Sequence, residues 1–118
     1  SDFSESFMKS YKSATKEELE SYIKDIKKKG NKLILSKSYI DVKNYKSTIK
    51  NYLKAVVDYT YILNKNIGFW ENQYYSTVET INEQLESLTN ELLSEEKENL
   101  DISSTIDTIQ GLLIDIYK

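Results

Sequence analysis

The sequence predicts an all-α protein, an antiparallel four-helix bundle with helices at about 15–36, 39–65, 72–98 and 101–117. Three observations carry that reading. The 118 residues contain no Pro and three Gly, so the punctuation that strands and tight turns need is scarce. Apolar residues recur at helical spacing along the chain, most plainly Val42, Ile49, Val56 and Leu63 at seven-residue intervals, interleaved with Tyr45, Tyr52 and Tyr59. The longest apolar runs, Leu33 to Leu35 and Leu112 to Ile114, fall far short of the ~20 residues of a transmembrane helix. A domain of this length buries roughly two-thirds of its unfolded surface, enough for one core without staples.

Residues 1–14 place Phe3, Phe7, Met8 and Tyr11 among serines and read as an N-terminal arm or a short helix ahead of a single bundle domain, 15–118. Thr15 with Glu18 forms a capping box, in which hydroxyl and carboxylate each satisfy a free amide at a helix start. Leu19, Tyr22, Ile23, Ile26 and Leu33 then line one face. Gly30 lies on that face behind Lys27, Lys28 and Lys29, a pattern that also suits a helix stop. The apolar phase resumes at Leu33, so the helix is expected to continue to about Ser36.

Ser38 with Asp41 is a second capping signal and opens the helix of the Val42 seam. That helix ends where Asn64, Asn66 and Gly68 cluster. A third seam runs Val78, Ile81, Leu85, Leu88, Leu92, and a fourth runs Ile102, Ile106, Ile109, Leu113, Ile116. The last two share a register, and one unbroken helix through both would reach about 60 Å at 1.5 Å per residue. A turn near Asn99 to Asp101, with Asp101 or Ser104 as cap, gives four helices of comparable length and is the preferred reading.

Composition excludes most catalytic chemistry. With no Cys and no His there is no thiolate or imidazole for nucleophilic catalysis, general base work or zinc ligation. All sixteen basic residues are Lys, so the planar fork behind most bidentate phosphate recognition is missing. Glu91, Glu95, Glu98 and Asp101 could line one side of a helix end as a Mg²⁺ site for nucleotide hydrolysis, but with no Arg to hold phosphates an ordinary acidic surface is the better account. No catalytic, cofactor or metal-ligating residue is assigned, and no cofactor is expected.

Charge carries the most information. Residues 1–59 hold thirteen Lys and eight acids, whereas 60–118 hold three Lys and eleven acids. If the first two helices are neighbours, Lys24, Lys27, Lys28, Lys43, Lys46, Lys50 and Lys54 share a broad basic surface. Such a surface suits nucleic acid or another polyanion. The net charge of −3 and the missing Arg weigh against that, in favour of a solvated face that steadies the basic pair against the acidic pair. Tyr45, Tyr52 and Tyr59 sit on the apolar seam and are expected in the core, rings buried and hydroxyls reaching the rim. Phe69 and Trp70, beside Gly68, either plug one end of the bundle or stand out as an interface anchor, the plug being favoured. Gly111 costs about 1 kcal/mol relative to Ala in a helix interior, so a close backbone is expected there, in the same chain or in a second copy.

The segment Glu91-Leu92-Leu93-Ser94-Glu95-Glu96-Lys97 and the run from Ile106 to Tyr117 resemble the small bacterial YaaR family. So do Tyr45 to Val57, with its Tyr-x6-Tyr-Leu-Lys-x-Val-Val pattern, and the Gly68-Phe69 turn. The similarity extends from about Thr15 onward and rests on amphipathic helices rather than on a catalytic signature. It implies a cytoplasmic all-helical protein, and assigns no activity. Where the family places basic residues after the Gly-Phe turn, this chain reads Trp70-Glu71-Asn72, so no anion-binding role carries over to that turn. The expectation is a non-enzymatic interaction module, cytoplasmic, with a protein partner or self-association through the last helix. Polyanion binding through the lysines and Mg²⁺-dependent nucleotide hydrolysis are the rival readings, and no membrane association is expected.

Overall fold

The computed structural model describes residues 2–63, 67–94 and 99–117. Among the described residues four α-helices follow one another: α1 (Asp2–Ser36), α2 (Tyr39–Leu63), α3 (Ile67–Leu92) and α4 (Ser103–Tyr117). They run up, down, up, down in a ring, α1 beside α2 and α4, and α3 beside α4 and α2. The molecule is a rod of 62 × 25 × 18 Å.

Seven-residue spacing sets the core in every helix. Leu19, Ile26 and Leu33 are fully buried from α1; Val42, Ile49 and Val56 are buried from α2; Tyr74, Ile81 and Leu88 from α3; Ile109 and Ile116 from α4, which continues the phase of Ile102 ahead of it. This is the a/d arrangement that lets antiparallel helices interdigitate over their whole length. Across it, Tyr52 donates its hydroxyl to the Leu113 carbonyl of α4 at 2.6 Å, and its ring meets Tyr22 of α1 edge-on at 6.3 Å. Tyr45 is equally buried, but its hydroxyl has no hydrogen-bond partner. Burial, reinforced by the Asp107 carboxylate, raises the pKa of that hydroxyl above the ordinary tyrosine value. The rings are therefore core residues as expected, but the hydroxyls of Tyr45 and Tyr52 end inside the bundle and not at its rim.

The helix boundaries differ from expectation in instructive places. α1 begins at Asp2, so the capping box at Thr15 and Glu18 lies within a helix and not at its start. Nothing between Asp2 and Thr15 breaks a helix, and a capping sequence alone does not end one. The helix continues through Gly30 to Ser36, as expected: an added Cβ would lie 3.0 Å from Ile106 Cγ2 and 3.2 Å from Tyr45 Cε1, so the missing side chain is what lets α4 and Tyr45 approach. α1 ends at Ser36, and the Lys37 that follows has a left-handed φ of 50° and an amide that reaches the Leu33 carbonyl at 2.8 Å. That single bond closes the helix in the manner usually reserved for glycine.

Ser38 caps α2 through the Asp41 amide at 3.2 Å. α3 starts at Ile67 and not near residue 72, so Gly68 and Trp70 belong to its first turn, where Gly is tolerated. It ends at Leu92 and not near residue 98: the Leu93 amide is shared between the Thr89 and Asn90 carbonyls, and the Ser94 amide turns back to Glu91. Asp101 then caps α4, accepting from the Ser103 amide at 3.0 Å and the Ser103 hydroxyl at 2.6 Å. These bonds hold the Asp101 carboxyl below its ordinary pKa. α3 and α4 are thus two helices, as the preferred reading has it, with Asp101 as the cap.

Gly111 is exposed, and an added Cβ would meet no atom within 4 Å. The expected close backbone is absent among the described residues of this chain, because Gly111 lies on the outer side of α4. Gly111→Ala should therefore raise stability by about 0.5–1 kcal/mol through helix propensity alone. Urea denaturation at two protein concentrations checks this; a loss of stability would mean that something outside the bundle covers the site.

Candidate interaction surface

The lysines of α1 and α2 divide between two grooves. In the first, between α1 and α2, Lys28, Lys29 and Lys32 face Asp25, Asp41 and Asn44, with Leu35 at one end, around a volume of about 520 Å³. Two of its three lysines are paired. Lys29 pairs with Asp25 at 3.0 Å and donates to the Thr48 hydroxyl at 2.7 Å. Lys32 pairs with Asp41 at 3.4 Å, and the Ser36 hydroxyl donates to the same carboxylate. The Ser36 hydrogen bond, with help from Ser38 and Lys32, outweighs desolvation and lowers the Asp41 pKa.

The sign of the linkage follows. A carboxyl whose pKa falls on folding adds stability at pH above its unfolded value, and loses it as pH drops through the lower folded value. Asp41→Asn should therefore be less stable than the parent at neutral pH, and the two should converge in acid below both values. Denaturation midpoints across a pH series test this, and a gap that persists undiminished in acid would show that the amide disrupts packing instead.

The second groove, between α2 and α3, is different. Lys46, Lys50 and Lys54 form one bank and Asn82, Glu86 and Asn90 the other, over a floor of Leu53, Tyr74, Val78 and Leu85, around a volume of about 730 Å³. The three lysines stand four residues apart on one face of α2, as the helical repeat requires. None of them makes an ion pair among the described residues, and neither does Glu86. The groove is braced at the end towards the α2–α3 connection. Tyr74 donates to the Leu53 carbonyl at 3.3 Å, Trp70 stacks on Tyr74 at 4.8 Å, and the Tyr61 hydroxyl donates to Glu71 across the helix gap.

The sequence-derived surface is thus brought together only in part. Lys46, Lys50 and Lys54 converge, while Lys28 belongs to the α1–α2 groove; Lys24, Lys27 and Lys43 are exposed and line neither groove. Trp70 is half-buried and packs against the core. The side chain of Phe69 lies outside the described residues. So do Glu95 and Glu98, and among the described residues no three carboxylates gather to hold a metal ion. Sequence reasoning missed the α3 bank. Its signal was available, since Glu79 and Glu86 are seven residues apart and Glu83 is four after Glu79, all exposed. It also missed the exposed apolar side chains: Leu35, Tyr39 and Ile40 around the α1–α2 turn, and Tyr61 and Tyr75 beside the second groove.

No helix among the described residues is long and apolar enough to cross a membrane. The chain resembles protein TM1646 from Thermotoga maritima, with a TM-score of 0.83 at 24% identity over 98% of this chain and 97% of that one. It is also similar to the uncharacterized protein BH1478 from Bacillus halodurans, with a TM-score of 0.81 at 25% identity and the same coverage. In sequence it is 29% identical over 104 residues to the uncharacterized protein YaaR of Bacillus subtilis strain 168, spanning 86% of this chain and 71% of that protein. The model of the DUF327 family, described as a protein of unknown function, matches residues 1–117. The chain therefore belongs to the DUF327 family.

Proposed function

We propose that this protein is a non-enzymatic interaction module of the cytoplasm whose working face is the α2–α3 groove, and that its ligand is another protein surface. The observation that carries this is a bank of three lysines over an apolar floor, with a carboxylate opposite, none of them in an ion pair among the described residues. Ligand sites and interface centres share that combination of apolar floor and few placed charges. α4 is a weaker candidate for the contact, since it offers no exposed large apolar side chain among the described residues. Polyanion binding is disfavoured because Lys29 and Lys32, which would extend the basic field, are matched by Asp25 and Asp41. Hydrolysis is disfavoured by a composition without His, Cys or Arg.

A photo-cross-linking side chain at Asn82, compared with one at Thr108 on α4, tests the reading in the native cell. Protein adducts are expected from Asn82 alone, and they should vanish when Lys46 and Lys50 are reversed to Glu. Equal labelling from both positions, or none from Asn82, overturns it. Mobility shifts with nucleic acid should show no saturable complex at physiological salt; a tight, salt-steep complex would favour the polyanion reading instead.

A further inference from the structure

We infer that the occupant of the α2–α3 face is a second copy of this chain, related by a two-fold axis parallel to the helices; this rests on the reading of that groove as the working face. Tyr61 and Glu71 touch across the helix gap, and α2 and α3 are antiparallel, so each step back along α2 matches a step forward along α3. Seven, eleven and fifteen steps from Tyr61 reach Lys54, Lys50 and Lys46. The same steps from Glu71 reach Val78, Asn82 and Glu86, beside Glu79 and Glu83. The face thus carries a basic row and an acidic row at matching heights, on opposite banks of one groove.

A two-fold axis along the helices leaves heights unchanged and exchanges the banks. It sets Lys46, Lys50 and Lys54 of one copy over Glu86, Glu83 and Glu79 of the other, and repeats the three pairs by symmetry. A two-fold axis across the helices would instead oppose lysine to lysine and carboxylate to carboxylate. Charge therefore selects one of the two possible arrangements. The same operation brings Tyr61 of each copy to the end where Tyr75 of the other stands. These rings are 49% and 62% exposed, and tyrosines of this kind serve as interface anchors.

Sedimentation of the full chain over a concentration series tests the assignment. The unmodified protein should dimerise reversibly, and more weakly as salt rises. Reversal of the basic row (Lys46→Glu, Lys50→Glu, Lys54→Glu) should weaken the dimer roughly tenfold or more, as should reversal of the acidic row (Glu79→Lys, Glu83→Lys, Glu86→Lys). An equimolar mixture of the two reversed chains should regain dimers, since each bank then meets its opposite. A parent that stays monomeric at every concentration and salt, reversed chains that dimerise like the parent, or a mixture that stays monomeric each overturns the inference.

Six charge changes could unfold the bundle, and a milder pair covers that case. The protein has no cysteine of its own, so a chain with Lys50→Cys mixed with one carrying Glu83→Cys should form a disulfide-linked mixed dimer in excess of either like pair. No excess of the mixed species overturns the inference. Adducts from Asn82 that contain only a foreign protein would sink the second copy and leave the groove as a working face.

Discussion

Tyr52→Ala is expected to cost about 3–5 kcal/mol, the range for deleting a large buried ring. The side chain is fully buried, packs edge-on against Tyr22 of α1 and donates to a backbone carbonyl of α4, so one residue ties three helices together. Small domains have only about 5–15 kcal/mol of total stability, so the melting temperature should fall by something on the order of 15 °C. Conservative variants separate ring from hydroxyl. Tyr52→Phe leaves the buried Leu113 carbonyl short of a donor and should cost about 1–2 kcal/mol. Tyr45→Phe removes a hydroxyl that has no partner and should be neutral or stabilising. Denaturant titrations of the three variants read this directly. The opposite order of the two Phe variants would mean that the hydrogen-bonding of these tyrosines is assigned the wrong way round.

Gly30→Leu should be the other severe change. The first added carbon already meets Ile106 at 3.0 Å and Tyr45 at 3.2 Å, and both neighbours are buried with little room to yield. Overpacking at such a site costs about 1–3 kcal/mol, and a branched side chain that must also displace α4 belongs at the top of that range or beyond. Better helix propensity returns only about 1 kcal/mol. Thermal melts together with near-ultraviolet dichroism check it: a cooperative transition at the parental temperature would show that α1 and α4 are free to separate there. The contrast with Gly111→Ala is informative, since the same residue type is expected to respond with opposite sign at two positions.

Most of the architecture was legible because it rests on period. The seams through Leu19, Val42, Ile81 and Ile109 repeat every seven residues, and a repeat of that kind admits few folds other than a bundle. The turn between α3 and α4 was legible through the capping chemistry of Asp101, although the seam alone would have let the helix run on. Gly111 was misread, and the close approach at Gly30 went unseen, for one reason. Whether a missing Cβ matters depends on what lies opposite, and neither Ile106 against Gly30 nor the open space beside Gly111 can be seen from local spacing. The charged surface failed in a similar way. Sequence counts lysines per helix, but packing sends Lys28 and Lys46 to grooves on different sides of α2, and the carboxylates that neutralise Lys29 and Lys32 come from α1 itself (Asp25) and from α2 (Asp41).

α1 spans 35 residues and α4 only 15, so the first helix runs past the end of its neighbour. Leu19 is the first described side chain of α1 buried in the core, and the described side chains at positions 4–10 are all exposed. The described side chains of that stretch bury little surface, and helical turns that bury little are marginal in water. Its amides should exchange with solvent deuterium far faster than those between Leu19 and Ser36, giving a steep protection gradient inside one continuous helix. Heating should therefore lower far-ultraviolet ellipticity before it alters the fluorescence of Trp70, which reports on the core. The two melting curves will not superimpose, and their separation measures how much of the helix signal comes from the unsupported overhang.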